Sequence, residues 1–337
     1  MNKLNSYTRI DIMDYLRGFA LLGILIVNGY QALGYFSFSK LHDKLYYILS
    51  GTFYPILFFL FGFGCYLFMN RSTQKANNRY FSFLRRICFL FVLGLIHTFY
   101  APQGIQDVLM VYAILGLFII IFFKRNKWTN LIVTVTLISF SIVTSFLYYG
   151  EGIVWLELLS FISKGLSFMV LGFTMGQFKF FENVYGKLKY ISIFLIVNIF
   201  IYVFLIYVRG SGLIPVSGIE MLEDYSGAFI MTSSLLIILQ WDKAKMILTP
   251  LKFYGQMSLT NYLAQSALLI VFSIIIGFTP INSLIVCFII HAILITFSIV
   301  WLKYFKMGPV EWLLRYFTYW SKIPNRKRSV RNNLESV

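Results

Sequence analysis

The chain has 337 residues, 59% hydrophobic and only 12% charged, with 29 Lys and Arg against 13 Asp and Glu for a formal charge of +16. Soluble domains are about 25% charged, so this composition, with a mean hydropathy of +0.76, excludes a soluble globular enzyme, a disordered chain and a coiled coil. It indicates an integral membrane protein, and cations so thinly spread do not make the solvated basic face of a nucleic-acid binder.

A membrane-crossing helix needs about 20 mostly apolar residues. The apolar runs are continuous rather than alternating, which points to helices and not to a barrel. In chain order the predicted spans are 15–35, 47–69, 84–101, 107–123, 129–149, 155–177, 190–208, 225–240, 257–277 and 281–304, the eighth being the shortest. The apolar segment of the first, Phe19 to Val27, is preceded by Arg9 and Arg17 and has no small-residue cleavage site behind it, so it reads as an uncleaved span. After the tenth, Gly308-Pro309 breaks the helix. Val310, Leu313, Leu314 and Phe317 then form an apolar stripe beside Trp312 and Tyr316, predicting an interfacial helix. The expectation is an all-α polytopic bundle of about ten transmembrane helices. Residues 1–320 form a single domain and 321–337 a basic polar tail. Cys65, Cys88 and Cys287 lie singly in apolar runs, giving neither a disulfide framework nor a metal site.

Of the 29 cations, 25 fall at one set of alternating loops and chain ends; only Lys40, Lys44 and Arg209 fall at the other, and Lys164 lies inside a span. The positive-inside rule then places both termini in the cytoplasm and requires an even number of spans.

Polar residues inside apolar helices are the candidates for function. His97 closes the third span and Asp107 opens the fourth across a short turn, which brings an imidazole and a carboxylate to the same outer surface. Such a carboxylate fixes the tautomer and raises the basicity of a general base or nucleophile; capping and interfacial polarity are the alternative roles. His42 beside Asp43 is a second pair, readable as loop polarity. Asp14 and Arg17 share a helix face at the inner mouth of the first span. Arg85 and Arg86 open the third and are either lipid anchors or phosphate binders. Ser258, Asn261, Tyr262 and Gln265 make one polar stripe on the ninth span, facing either a cleft or neighbouring helices. Lys164 has Glu157 and Ser160 on its own face, and Glu311 can pair with Arg315.

Four segments together carry a resemblance. They are Arg9-Ile-Asp-Ile-Met-Asp14-Tyr-Leu-Arg17-Gly18, then Gly94-Leu-Ile-His97 with Asp107-Val-Leu-Met-Val-Tyr112. The others are Met257-Ser-Leu-Thr-Asn261-Tyr-Leu-Ala-Gln265-Ser266 and Gly308-Pro-Val-Glu311-Trp312-Leu-Leu-Arg315. The chain resembles the YeiB family of bacterial membrane proteins of unknown function, which looks related to transmembrane acyltransferases such as heparan-alpha-glucosaminide N-acetyltransferase. The resemblance implies a bacterial plasma-membrane protein that moves an acyl group from cytoplasmic acyl-CoA, acetyl-CoA in the named relative, to a hydroxyl or amine acceptor outside. No metal is implied. His97, with Asp107, would be catalytic. Asp14, Arg17, Arg85, Arg86, Ser258, Asn261 and Gln265 would bind the donor or line its path. His42 is the rival, because the eukaryotic relative carries its catalytic His in the first non-cytoplasmic loop, and Pro55 and the aromatic run Phe58 to Phe61 follow here at a comparable distance. Implied partners are membrane lipids, an envelope glycan or lipid-linked acceptor, and a second copy of the chain; nucleic acid is not among them. Two other readings stand beside this one: a transporter using Glu157, Lys164 and His291 as a relay, and a non-catalytic envelope scaffold.

Overall fold

A backbone crossing lipid must satisfy its N–H and C=O groups within helices or a closed barrel, and the described parts of the apolar runs of this chain are almost entirely helical. The computed structural model describes residues 8–32, 40–70, 76–101, 105, 107–148, 154–211, 216–276, 280–321 and 324–327. Its helices are α1 (Thr8–Ala32), α2 (Lys40–Met69), α3 (Ala76–Tyr100), α4 (Val108–Ile119), α5 (Lys127–Tyr148), α6 (Val154–Gln177) and α7 (Leu188–Ser211). They continue as α8 (Val216–Ile238), α9 (Asp242–Ile247), α10 (Thr249–Gln256), α11 (Ser258–Ile276), α12 (Pro280–Tyr304) and α13 (Pro309–Tyr319). Among the described residues the sole β pairing is the isolated bridge between Phe305 and Arg326.

Eight of these helices are long and apolar enough to cross a membrane, two fewer than the ten expected. The predicted fourth span is a shorter apolar helix, Val108–Phe122 with its last turn tightened. The predicted eighth, α8, starts earlier than expected, at Val216, but is not among the eight, because Glu220, Glu223 and Asp224 lie in its first half. Those carboxylates are tolerated because cations from two other helices meet them. Lys164 Nζ lies 2.8 Å from Asp224, and Arg209 lies 2.6 Å from Glu223 and 3.4 Å from Glu220. Lys164 therefore pairs across to α8 and not with Glu157, which is exposed on its own helix.

The helix α1 is the hub of the bundle. It packs against α2, α10, α11 and α12, and 72% of its spanning window is buried against 17% for the window that includes α7. The outer faces of α7 and α12, with Phe200, Phe204 and Phe288 exposed, are apolar where a lipid-facing helix should be. The crossing of α1 over α10 is close because each helix offers a glycine. A Cβ on Gly18 would strike the Leu251 carbonyl, and one on Gly255 the Asp14 carbonyl.

At the end of the bundle that carries the start of α1, α13 ties itself to α11. Glu311 Oε1 accepts from the N–H of Leu259 at 2.7 Å and of Thr260 at 3.1 Å, and Oε2 from the Thr260 hydroxyl at 2.6 Å. A carboxylate at a helix N-terminus meets unpaired N–H groups and the positive end of the dipole. Burial nonetheless pushes the Glu311 carboxyl above its ordinary range. The start of the basic polar tail pairs with the bundle: Lys306 N–H donates to the Asn325 carbonyl at 2.8 Å and Lys327 N–H to the Tyr304 carbonyl at 2.9 Å.

Candidate active site

From Arg86, α3 rises about 16 Å along its axis, at about 1.5 Å per residue, to His97, which is fully buried. The chain turns and Asp107 caps α4, its Oδ2 accepting from the Met110 N–H at 2.7 Å. That leaves Oδ1 for the imidazole, and His97 Nδ1 lies 2.7 Å from it. The approach requires Gly94, where a Cβ would stand 2.6 Å from Asp107 Oδ2 and 2.7 Å from the Met110 nitrogen. On the other side of the ring His97 Nε2 lies 2.8 Å from the Ser266 hydroxyl of α11. A carboxylate only accepts, so in the neutral imidazole the ring proton sits on Nδ1 and Nε2 accepts from Ser266. Asp107, His97 and Ser266 thus form one carboxylate–imidazole–hydroxyl chain built from three elements. Two tyrosines bracket the ring. Tyr262 has its centroid 5.0 Å away and Tyr100 stands edge-on at 5.3 Å. Both are held, Tyr262 by accepting from the Val108 N–H at 3.2 Å and Tyr100 by donating to the Leu263 carbonyl at 3.2 Å.

A cavity of about 500 Å³ leads toward this chain from the opposite end of the bundle. Its mouth holds Asp14, Arg17, Arg86, Lys306, Glu311 and Arg315, and its closed end is walled by Val108, Tyr112 and Tyr262. Lys306 and Arg315 are exposed, whereas Val108, Tyr112 and Tyr262 are buried, so the basic end is the open one. Four cations face two carboxylates, both already engaged: Asp14 with Arg17 at 2.9 Å, and Glu311 with α11. The Tyr112 hydroxyl is buried at the closed end and has no hydrogen-bond partner among the described residues. The cavity stops one side chain short of His97, at the Tyr262 ring.

Of the residues singled out in the sequence, His97 and Asp107 are brought together, and Asp14, Arg17, Arg86 and Ser258 line the cavity. Arg85, adjacent to Arg86 and so rotated about 100° around the helix, points elsewhere, its guanidinium 5.5 Å over the Trp320 ring. Asn261 and Gln265 also lie off the cavity. Asn261 donates to the Tyr254 carbonyl and the Ser298 hydroxyl, each at 2.9 Å, and Gln265 to the Leu21 carbonyl at 3.1 Å and to the Tyr254 hydroxyl. These bonds tie α11 to α10, α12 and α1. His42 falls on the first turn of α2, where side chains lie outside the described residues.

Residues 9–171 match the family described as heparan-alpha-glucosaminide N-acetyltransferase, catalytic. Residues 175–321 match a family described as a protein of unknown function, DUF418. The uncharacterized protein YeiB of Escherichia coli (strain K12) is 39% identical over 83 residues, 23% of this chain and 21% of that protein. An uncharacterized 39.9 kDa protein from the amylase 3′ region of Bacillus acidopullulyticus is 33% identical over 350 residues, 94% of this chain and 95% of the relative. This chain belongs to the YeiB-like family. The uncharacterized protein YxaH of Bacillus subtilis (strain 168) is similar over the same extent, 26% identical across 95% of this chain and 97% of its own. The family is related to heparan-alpha-glucosaminide N-acetyltransferase-type proteins, and the chain is a multi-pass membrane protein of it. No solved structure matches this chain. The site spans both matched segments of the family: His97 and Asp107 lie in the first, Tyr262 and Ser266 in the second.

Ser266, Tyr112 and Tyr100 were given no role by the sequence alone. Ser266 could have been found, since Ser258, Tyr262 and Ser266 are spaced four apart and lie on one face of α11.

Proposed function

We infer that this protein is a membrane-embedded acyltransferase that takes an acyl group, acetyl in the first instance, from a CoA thioester. The acceptor is a hydroxyl or amine presented at the opposite face of the membrane. One observation carries the reading: the cation-lined cavity ends one side chain away from an imidazole polarised by a buried carboxylate. The open mouth, with Arg17, Arg86, Lys306 and Arg315, suits the phosphates of CoA, and guanidinium groups bind phosphate with two parallel hydrogen bonds. The pantetheine arm is long and thin enough for the apolar throat toward Tyr112 and Tyr262. His97 serves as general base with Nε2, and Asp107 holds its tautomer and stabilises the imidazolium. The excess of cations at the open end supports the reading that this end, with both termini, faces the cytoplasm of a bacterial plasma membrane. An envelope glycan or a lipid-linked molecule is the acceptor class.

The transporter reading has less to support it. Lys164 is bonded to Asp224, His291 to the Leu22 carbonyl and Tyr254, and Glu157 is exposed, so the three groups of the supposed relay stand in separate networks.

The test is donor binding followed by transfer. Acetyl-CoA at one hundred times its Kd should stabilise the purified protein by about 2.7 kcal/mol, and Arg17→Ala should weaken that protection. His97→Ala should keep it while losing transfer of labelled acetyl groups to envelope material. No protection by any acyl-CoA, whatever the chain length, refutes the reading. Loss of transfer in His42→Ala with transfer intact in His97→Ala moves the site to α2.

A further inference from the structure

The role of His97 leaves the Ser266 hydroxyl unexplained. Several buried helical hydroxyls turn back on their own helix, as Thr134 does to the Asn130 carbonyl at 2.8 Å and Thr318 to Leu314 at 2.6 Å, and others cross to a neighbouring backbone or tyrosine, as Ser145 does to the Ser217 carbonyl at 2.7 Å; none of these meets a titratable base. Ser266 instead reaches a ring 169 residues away in the chain, at 2.8 Å. With Nδ1 held by Asp107 and Nε2 by Ser266, both imidazole nitrogens are engaged. The one proton the base can take without rearrangement is therefore that of Ser266. To activate an external hydroxyl first, the ring has to abandon this bond; to activate Ser266 it moves nothing.

We propose that Ser266 is the nucleophile that carries the acyl group between donor and acceptor, a proposal that rests on the acyltransferase reading of the site. In the first half-reaction the Ser266 Oγ proton passes to His97 Nε2 as Oγ bonds to the thioester carbonyl carbon. The carbon–sulfur bond then breaks and the thiolate leaves with the proton returned from Nε2, so the products are an ester on Ser266 and a free thiol. In the second half the acceptor gives its proton to Nε2 and bonds to the same carbon. The Oγ–carbon bond breaks and Oγ recovers the proton. The covalent relay suits a cavity that does not run through: Tyr262, one turn before Ser266 on the same face of α11, closes the donor side, and Tyr100 lies beyond the ring. With the acyl group parked on Ser266, donor and acceptor occupy the site in turn, and only the small acyl group has to pass the plug.

The experiment uses the full-length protein with acetyl-CoA and no acceptor. The expected result is a burst of about one equivalent of thiol per protein and an acetyl adduct that maps to Ser266. Ser266→Ala should retain protection by acetyl-CoA, lose burst and adduct, and lower transfer at least ~10³-fold. Ser266→Cys, which keeps a nucleophile of similar size, should form a thioester adduct and guards against misfolding of the alanine variant. A small fluorophosphonate, which needs no acyl donor, should label Ser266 in the wild type and not in His97→Ala. An adduct on His97, or Ser266→Ala transferring within about tenfold of wild type, overturns the proposal. Protection without burst or label overturns Ser266 and leaves the acyltransferase reading standing. Label without protection by any acyl-CoA overturns that reading and the donor named here.

Discussion

Replacing Asp107 by Asn separates the two tasks of its carboxylate. The amide carbonyl can still accept from the Met110 N–H and cap α4, so stability should change by less than about 1 kcal/mol, the usual worth of a cap. The other oxygen, 2.7 Å from His97 Nδ1, becomes an NH₂ group that only donates. Nδ1 must then accept, the ring proton moves to Nε2, and the lone pair facing Ser266 is lost. In comparable carboxylate–imidazole–hydroxyl chains the wrong tautomer lowers turnover by about 10⁴-fold, equivalent to about 5.5 kcal/mol of barrier. Asp107 does not line the cavity, so donor binding should be untouched. The assay is transfer of labelled acetyl groups by reconstituted protein, with a thermal melt in the presence and absence of acetyl-CoA. Asp107→Asn with wild-type melting, wild-type donor protection and transfer within about tenfold of wild type refutes the claim that Asp107 sets the His97 tautomer.

Three further expectations follow from single contacts. Tyr112→Phe removes a buried hydroxyl that lacks a partner among the described residues, so the protein alone should gain about 1–3 kcal/mol while acetyl-CoA protects it less; equal loss of both in melts contradicts the assignment. Burial raises the Glu311 carboxyl above its ordinary 4.5, so the stability it contributes is complete below that value and declines as pH rises through the folded value. Melts of Glu311→Gln should therefore be flatter than wild type from about pH 4.5 upward. Lys164→Met leaves Asp224 as a buried unpaired charge and should cost about 3–5 kcal/mol, most of it recovered in the double variant Lys164→Met with Asp224→Leu, as measured by denaturation in detergent.

What can be read along a single helix was legible in the sequence. Twenty apolar residues specify a spanning helix whatever surrounds them, and the His97–Asp107 pair was visible because a short turn joins its two halves. What depends on a distant neighbour was not. The start of α8 was placed too late because three acids in an apolar context count as a cost, and their cations, Lys164 and Arg209, come from other helices. The polar stripe of α11 marked a face without saying what lay opposite: Ser258 and Tyr262 meet the cavity, Asn261 and Gln265 meet backbone, and Ser266 meets His97. Arg85 and Arg86 were indistinguishable as a dipeptide, and only the rotation of α3 sends one to the cavity and the other to Trp320.

The central position of α1 has a consequence for biosynthesis. It leaves the ribosome long before many of the groups it packs against, which come from α9 to α12: Tyr15 bonds the Lys245 carbonyl 230 residues later, Leu21 is met by Gln265 after 244, and Leu22 by His291 after 269. At ordinary translation rates that separation is a wait of about ten to fifty seconds. Through it Asp14, Asn28 and Gln31, all buried in the finished bundle, sit in the nascent protein without the second half of their surroundings. A chain halted before α10 is thus a substrate for quality control and not a smaller version of this protein.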